Sequence, residues 1–188
     1  AEIPPRYREL ILERLVGYQE ATRINLHVML ETRPEHLLRA EESGELERLA
    51  PLFRKLDVVV NVGYEASDTF LRNVVFAKGL DDGTFDLAMR AACKYDLDPG
   101  AFVFAGGHIL TLAEVLCETR RTLDHLGKMG LFANVMVPNL QSYTLPDVLF
   151  EFGYYDLPEP YILLDLAEMM LTFSPDRSRP VTAFDWFI

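Results

Sequence analysis

The sequence predicts an α/β protein built on a parallel sheet, and two observations carry that reading. Short apolar runs begin at about residues 24, 57, 101 and 132, and the 31 to 44 residues between successive starts are filled by helical patterning. Parallel strands need a crossover of a dozen residues or more, so this alternation marks βαβ units. The architecture is then either an open doubly wound sheet or part of a (β/α) barrel. In both, ligands bind at the carboxyl ends of the strands.

The elements follow in order. Pro4-Pro5 opens a first helix that runs to about Ala21, with Leu12, Leu15 and Val16 at helical spacing. A first strand covers Ile24 to Leu30, and Pro34 opens the next helix. After the Ser43-Gly44 break, Leu46, Leu49, Leu52, Phe53 and Leu56 mark a further helical stretch that leads into a second strand, Val58 to Val62. Helical spacing returns at Phe70, Leu71, Val74 and Val75. The third strand is Ala101 to Phe104, ending in Gly106-Gly107. Thr111-Leu-Ala-Glu114 is a capping box, and Leu112, Val115, Leu116, Thr119, Leu123 and Leu126 form one face of the helix it starts. A fourth strand, Leu131 to Val137, is followed by helices from about Leu145 and from about Tyr161 to Phe173. The last of these is apolar nearly all round and is expected to be buried.

Composition bounds the function. The chain has 188 residues, of which 49% are apolar and 25% charged, so it is expected to fold as a single α/β domain over 1–188. With 18 Lys+Arg against 29 Asp+Glu the formal charge is −11, which argues against this chain alone being the main grip on a nucleic-acid backbone. Cys93 and Cys117 are too few and too far apart for a disulfide framework or a zinc knuckle. No apolar run approaches the roughly 20 residues that cross a bilayer, and no secretory signal opens the chain, so a cytoplasmic protein is expected. The start at Ala1 and the apolar end Trp186-Phe187-Ile188 point to a segment of something longer.

At the strand ends lie the polar candidates. Glu31, Thr32, Arg33 and Glu35 follow the first strand, and Gly63, Glu65, Ser67 and Asp68 follow the second. Glu31 and Glu65 each come straight after an apolar strand, where a carboxylate needs either a ligand or a structural ion pair, for instance to Arg33 or Lys78. Gly63 removes a side chain near a strand end, which suits either close approach by a ligand or a bulge. His108 is the one histidine at a strand end and the weak catalytic candidate. His27 reads as a satisfied core residue, His36 and His125 as solvent-facing, and Met169-Met170 as core. The chain has no GxxxxGK[ST], GxGxxG, HExxH, CxxC or GxSxG.

The ordered set Glu31-Thr-Arg-Pro-Glu35, Val62-Gly-Tyr-Glu65 and Lys78-Gly79 resembles the middle of the radical S-adenosylmethionine (SAM) core. The likeness is to the branch holding the elongator catalytic subunit, the archaeosine-forming lyase and oxygen-independent coproporphyrinogen oxidase. Phe104-Ala-Gly-Gly107, Thr111-x-x-Glu114, Asn139 to Thr144 and Tyr154-x-x-x-Pro158 extend it over about residues 24 to 165. The resemblance implies a parallel four-stranded (β/α) partial barrel, equivalent to strands three to six of that core. It implies that Glu31 and Glu65 meet the methionyl amino group and ribose of SAM, that Lys78 meets its carboxylate, and that Gly63, Gly106 and Gly107 belong to the same cofactor-binding set. Ala101-Phe-Val103 departs from the members that carry a polar ribose contact there.

The family's CxxxCxxC loop, whose thiolates hold a [4Fe–4S] cluster, is missing from the chain. The resemblance therefore implies a SAM-binding part whose cluster ligands come from elsewhere, from an N-terminal cluster-bearing segment or subunit, with a homo-oligomer as the other partner. Radical chemistry by this chain alone is excluded. Two rival readings stand beside it. One is a cluster-free hydrolase or lyase in which Glu31, Glu65 and His108 hold a divalent metal; the other is a non-catalytic α/β assembly subunit. The edge of the Ile24 to Leu30 strand is expected to pair with additional chain.

Overall fold

In the computed structural model, which describes residues 3–107, 109–138, 142, 144–155, 157 and 161–173, the two prolines do open a helix. α1 (Pro5–Thr22) buries Leu12 and Val16 and stops at Arg23, whose left-handed backbone (φ 60°) turns its N–H back onto the Gln19 carbonyl. The Gln19 side chain then fixes the next residues. Its Oε1 accepts from the Leu26 N–H at 2.8 Å and its Nε2 donates to the Lys55 carbonyl at 2.6 Å.

Leu26 is thereby tied to α1, and β1 (His27–Thr32) begins three residues later than the apolar run alone suggests. Glu31 and Thr32 lie inside the strand. β1 pairs in parallel with β2 (Asp57–Glu65), in a register that sets Leu30 beside Val60, Glu31 beside Asn61 and Thr32 beside Val62. With β3 (Asp98–Phe104) and β4 (Phe132–Met136) these make a four-stranded, all-parallel sheet of order β1-β2-β3-β4, so the predicted alternating α/β class is the one observed.

By compactness the chain divides into two units, Ala1–Val62 with Asp81–Gly100 and Gly63–Leu80 with Ala101–Ile188. In the first, α2 (Pro34–Glu42) packs on α3 (Glu45–Phe53) and on α4 (Asp82–Lys94), and α1 packs on α3. Leu37, Leu46, Leu49, Phe53, Val58, Val60, Phe85 and Met89 make its core. Ion pairs Arg8–Glu45, Lys94–Glu41 and Arg54–Asp96, at 2.7 to 2.9 Å, link its elements.

The second unit holds α5 (Leu112–Lys128), α6 (Leu145–Glu151) and α7 (Ile162–Phe173). α5 starts with the capping box expected from Thr111 and Glu114, and packs on β4 and α7. α7 buries Ile162, Leu166, Met169 and Met170, which makes the methionine pair core as expected. It is not buried all round, because Leu164 and Leu171 are 74% and 83% exposed.

Three histidines depart from expectation. His27 opens an edge strand whose alternate residues face outward, so it is exposed, and its Nδ1 lies 2.8 Å from an Asp57 carboxylate oxygen. His36 is half-buried and, with Leu12, Leu30, Leu37 and Val60, lines a cavity of about 520 Å³ in the first unit. His125 is half-buried and stacks on Tyr64. No helix among the described residues is long and apolar enough to cross a membrane.

Candidate functional site

The last turn of β2 brings three of the expected residues together. Glu65 ends the strand in a left-handed conformation (φ 70°), uncommon for a residue with a side chain and a mark of an imposed geometry. Its Oε1 lies 2.7 Å from the Lys78 Nζ. The pair is sheltered, with side-chain exposures of 13% and 32%. Gly63 explains how it fits: a Cβ there would collide with the Lys78 Nζ and stand 3.0 Å from Glu65 Oε1. The absent side chain leaves the space that the Lys78 ammonium occupies beside Glu65, a side-chain approach distinct from both the ligand approach and the bulge that the sequence suggested for Gly63.

Lys78 is delivered by a braced loop. After β2 the chain makes a π-helical turn, Leu71–Val75, a rare geometry that recurs at functional sites. Arg72, fully buried within that turn, donates from Nε to the Leu80 carbonyl at 2.9 Å and from Nη1 to the Ala66 carbonyl at 2.8 Å. Its backbone carbonyl accepts the Lys78 N–H at 3.0 Å. The guanidinium sits 4.8 Å from the centre of the Tyr64 ring, and Tyr64 in turn stacks on His125 at 5.6 Å and 15°. Asn73 adds a reciprocal pair of hydrogen bonds to the Leu80 main chain, at 2.8 and 3.0 Å.

The segment that follows Glu65 is held from α5. The Ser67 N–H donates to the Thr122 hydroxyl at 2.8 Å. Glu118 Oε1 accepts from the Ser67 hydroxyl at 2.9 Å, from the Asp68 N–H at 2.7 Å and from the Thr122 hydroxyl at 3.2 Å. Arg121 closes the set with an ion pair to Glu118 Oε2 at 2.9 Å.

Gly106 and Gly107 follow β3. A Cβ at Gly106 would stand 2.8 Å from two atoms of the Pro138 ring, so that glycine makes room for the proline. Gly107 adopts φ 147°, a region left to glycine. Glu31, in the first unit, is exposed on β1 beside the fully buried Asn61, and no hydrogen bond or ion pair holds its carboxylate among the described residues. Neither partner suggested for it is available: Arg33 pairs with Glu35 at 3.1 Å and Lys78 pairs with Glu65. The Arg33 guanidinium, by hydrogen bond and charge, holds the Glu35 carboxyl below its usual range. His108 lies outside the described residues, and among those described no group of three His, Cys, Asp or Glu is placed to hold a metal ion.

Arg72, Asn73 and Glu118 escaped the sequence reading. The usable signal for Arg72 was a cation set among Leu71, Val74 and Val75, since a charge amid apolar helical spacing must find buried partners. Glu118 gave no comparable sign, because its partners are about 50 residues away in the chain.

What the geometry defines is a parallel α/β protein with a sheltered carboxylate–ammonium pair at a strand's carboxyl end. The chain matches no family model. It is similar, at 23% identity over 185 residues, to archaeosine synthase subunit beta of Methanosarcina acetivorans. The alignment takes in 97% of this chain and 51% of the relative, so the chain spans about half the length of the curated relative it matches.

Proposed function

We propose that the chain is the SAM-binding part of an archaeosine-synthase-type radical SAM enzyme, working with cluster ligands and a partner from outside these residues. The observation that carries this reading is the similarity along nearly the whole chain to a protein named as one subunit of archaeosine synthase. The local chemistry supports it. Gly63, Glu65 and Lys78 form a compact acceptor–cation set on a bare stretch of backbone. A ribose diol can donate to the Glu65 carboxylate, and a ligand carboxylate can exchange for Glu65 at the Lys78 ammonium. The resemblance also assigns Glu31, Gly106 and Gly107 to the cofactor, and the exposed Glu31 carboxylate is of a kind that suits an amino group.

The residues present do not fit an iron–sulfur cluster. The sequence has two cysteines where three thiolates are needed, and both lie exposed on helices, Cys93 on α4 and Cys117 on α5. In this reading the chain's own work is to bind and orient SAM. Reductive cleavage of SAM, which supplies the hydrogen-abstracting radical, belongs to the cluster-bearing partner. The formal charge of −11 argues against this chain alone being the main grip on a nucleic-acid backbone, which supports leaving that grip to the partner.

Equilibrium dialysis with labelled SAM tests the reading, using the chain alone and together with a CxxxCxxC-bearing partner. Binding is expected, and Glu65→Gln and Lys78→Met are each expected to weaken it about tenfold, as loss of a charge-assisted contact does. Absence of SAM binding in both settings, or wild-type affinity in both variants, overturns it.

A further inference from the structure

We propose that Glu118 is a positioning residue for the Glu65–Lys78 pair, acting on it through the Ser67-Asp68 turn and Arg72. The proposal rests on the reading of that pair as ligand-facing, and each link is a hydrogen bond within the second unit. Glu118 is 8% exposed, and one carboxylate oxygen, Oε1, takes three donors from the turn and its neighbour: Ser67 hydroxyl, Asp68 N–H and Thr122 hydroxyl. Because the Thr122 hydroxyl donates to Glu118, its lone pair is left to accept the Ser67 N–H. Two consecutive backbone N–H groups, just after the left-handed Glu65, are thus satisfied by α5.

From Asp68 the chain of contacts runs on. Asp68 Oδ1 caps the π-helical turn by accepting the Leu71 N–H at 2.9 Å, and the Asp68 carbonyl accepts the Arg72 N–H at 2.9 Å. Arg72 then reaches both partners of the ion pair: its side chain holds the Ala66 carbonyl, next to Glu65, and its own carbonyl holds the Lys78 N–H. Removing the Glu118 carboxylate takes the acceptor from the Asp68 N–H and from the Ser67 and Thr122 hydroxyls, and frees the turn from which Arg72 hangs. Glu65 loses support for its left-handed backbone, and Lys78 loses its fixed distance.

A merely structural brace would lower stability without touching Lys78, and the experiment separates the two. The chain has four lysines, Lys55, Lys78, Lys94 and Lys128, so ¹³C-dimethylation gives four lysine NMR signals, assignable by substitution, beside that of the α-amino group. In the Glu65→Gln variant the Lys78 signal is expected to shift to an unpaired position. Glu118→Ala is expected to bring it to that same position, whereas Glu118→Gln, which keeps an acceptor oxygen, rescues the wild-type signal. Should Glu118→Ala not fold, the near-isosteric Thr122→Val, expected to move the signal part of the way, is read in its place. A Lys78 signal unmoved by the folded variant overturns the proposal.

SAM affinity supplies the second arm. Glu118→Ala is expected to weaken binding about tenfold in the wild-type background and not at all in Glu65→Gln, while an equal loss in both backgrounds overturns action through the pair. If the wild-type chain binds no SAM either alone or with its cluster-bearing partner, the proposed function falls, and the Lys78 signal still decides the role of Glu118.

Discussion

A single missing methyl group sets the geometry at Gly63. A Cβ there meets the Lys78 ammonium, so in Gly63→Ala the lysine tip has to shift, and the expected shift is away from Glu65. The backbone at Gly63 is not one that only glycine adopts, so the cost falls on the ion pair rather than on the strand. Gly63→Ala is expected to lower stability by about 1 kcal/mol, the scale of a partly sheltered ion pair, and to reduce SAM affinity as far as Lys78→Met does. Urea unfolding and dialysis check both; an alanine variant with wild-type values would show that the pair is free to sit elsewhere. At this scale the sequence was informative where chemistry is local. Gly63, Glu65 and Lys78 stood out because a glycine and a carboxylate close an apolar run and a cation follows soon after. Glu118 could not, since what makes it matter is the arrival of Ser67 and Asp68 from a distant segment.

Among the elements, α5 has the best-defined start. The Thr111 side chain accepts from the Glu114 N–H at 3.4 Å and the Glu114 carboxylate accepts from the Thr111 N–H at 2.8 Å. Thr111→Ala is expected to cost about 1 kcal/mol of global stability and to speed amide exchange in the first turn of α5. Unchanged exchange there would mean that the packing of α5, not its cap, fixes its start. The helix was readable because a capping box and an apolar face occur together in a short window. β1 was misplaced for the opposite reason: Ile24 and Leu26 look like strand residues, yet Gln19 ties Leu26 to α1. A side chain on the preceding helix decides that boundary, and no periodicity within residues 24–30 reveals it. The π-helical turn likewise showed only as helical spacing, because what distinguishes it is a main-chain bond, from the Phe76 N–H to the Leu71 carbonyl five residues back.

For the molecule as a whole, acid is the condition that reaches several anchors at once. Glu35 is held below its ordinary value of 4.5 by its hydrogen bond to Arg33, Asp81 below 3.8 by the Thr84 hydroxyl and N–H, and Glu114 below 4.5 by the Thr111 N–H and hydroxyl. In each case the unfolded chain binds the proton more readily than the folded one. The stabilisation is therefore complete above the ordinary value and is lost as pH falls through the lower, folded one. The general charge of −11 relaxes over the same range and acts in the opposite sense, so a difference measurement is needed. The urea midpoints of wild type and Glu35→Gln are expected to differ above about pH 5.5, one unit over the ordinary value, and to converge as pH falls below 4.5. A constant gap would show that Glu35 contributes through its shape and not through its charge.

The strand order β1-β2-β3-β4 carries a consequence for how the chain reaches its fold. Every strand pairs only with its predecessor and successor in sequence, so no strand has to wait for a later one to be inserted between it and its neighbour. A chain emerging from the ribosome can lay down the sheet in the order of synthesis, each new strand meeting an edge that already exists. The loops to be closed are then those of single crossovers, whose entropy grows only slowly with length. The same order leaves each edge exposed until its successor arrives, with unpaired backbone groups open to any extended segment nearby. Speed of synthesis, as much as the final stability, then governs how often a nascent chain pairs with the wrong neighbour.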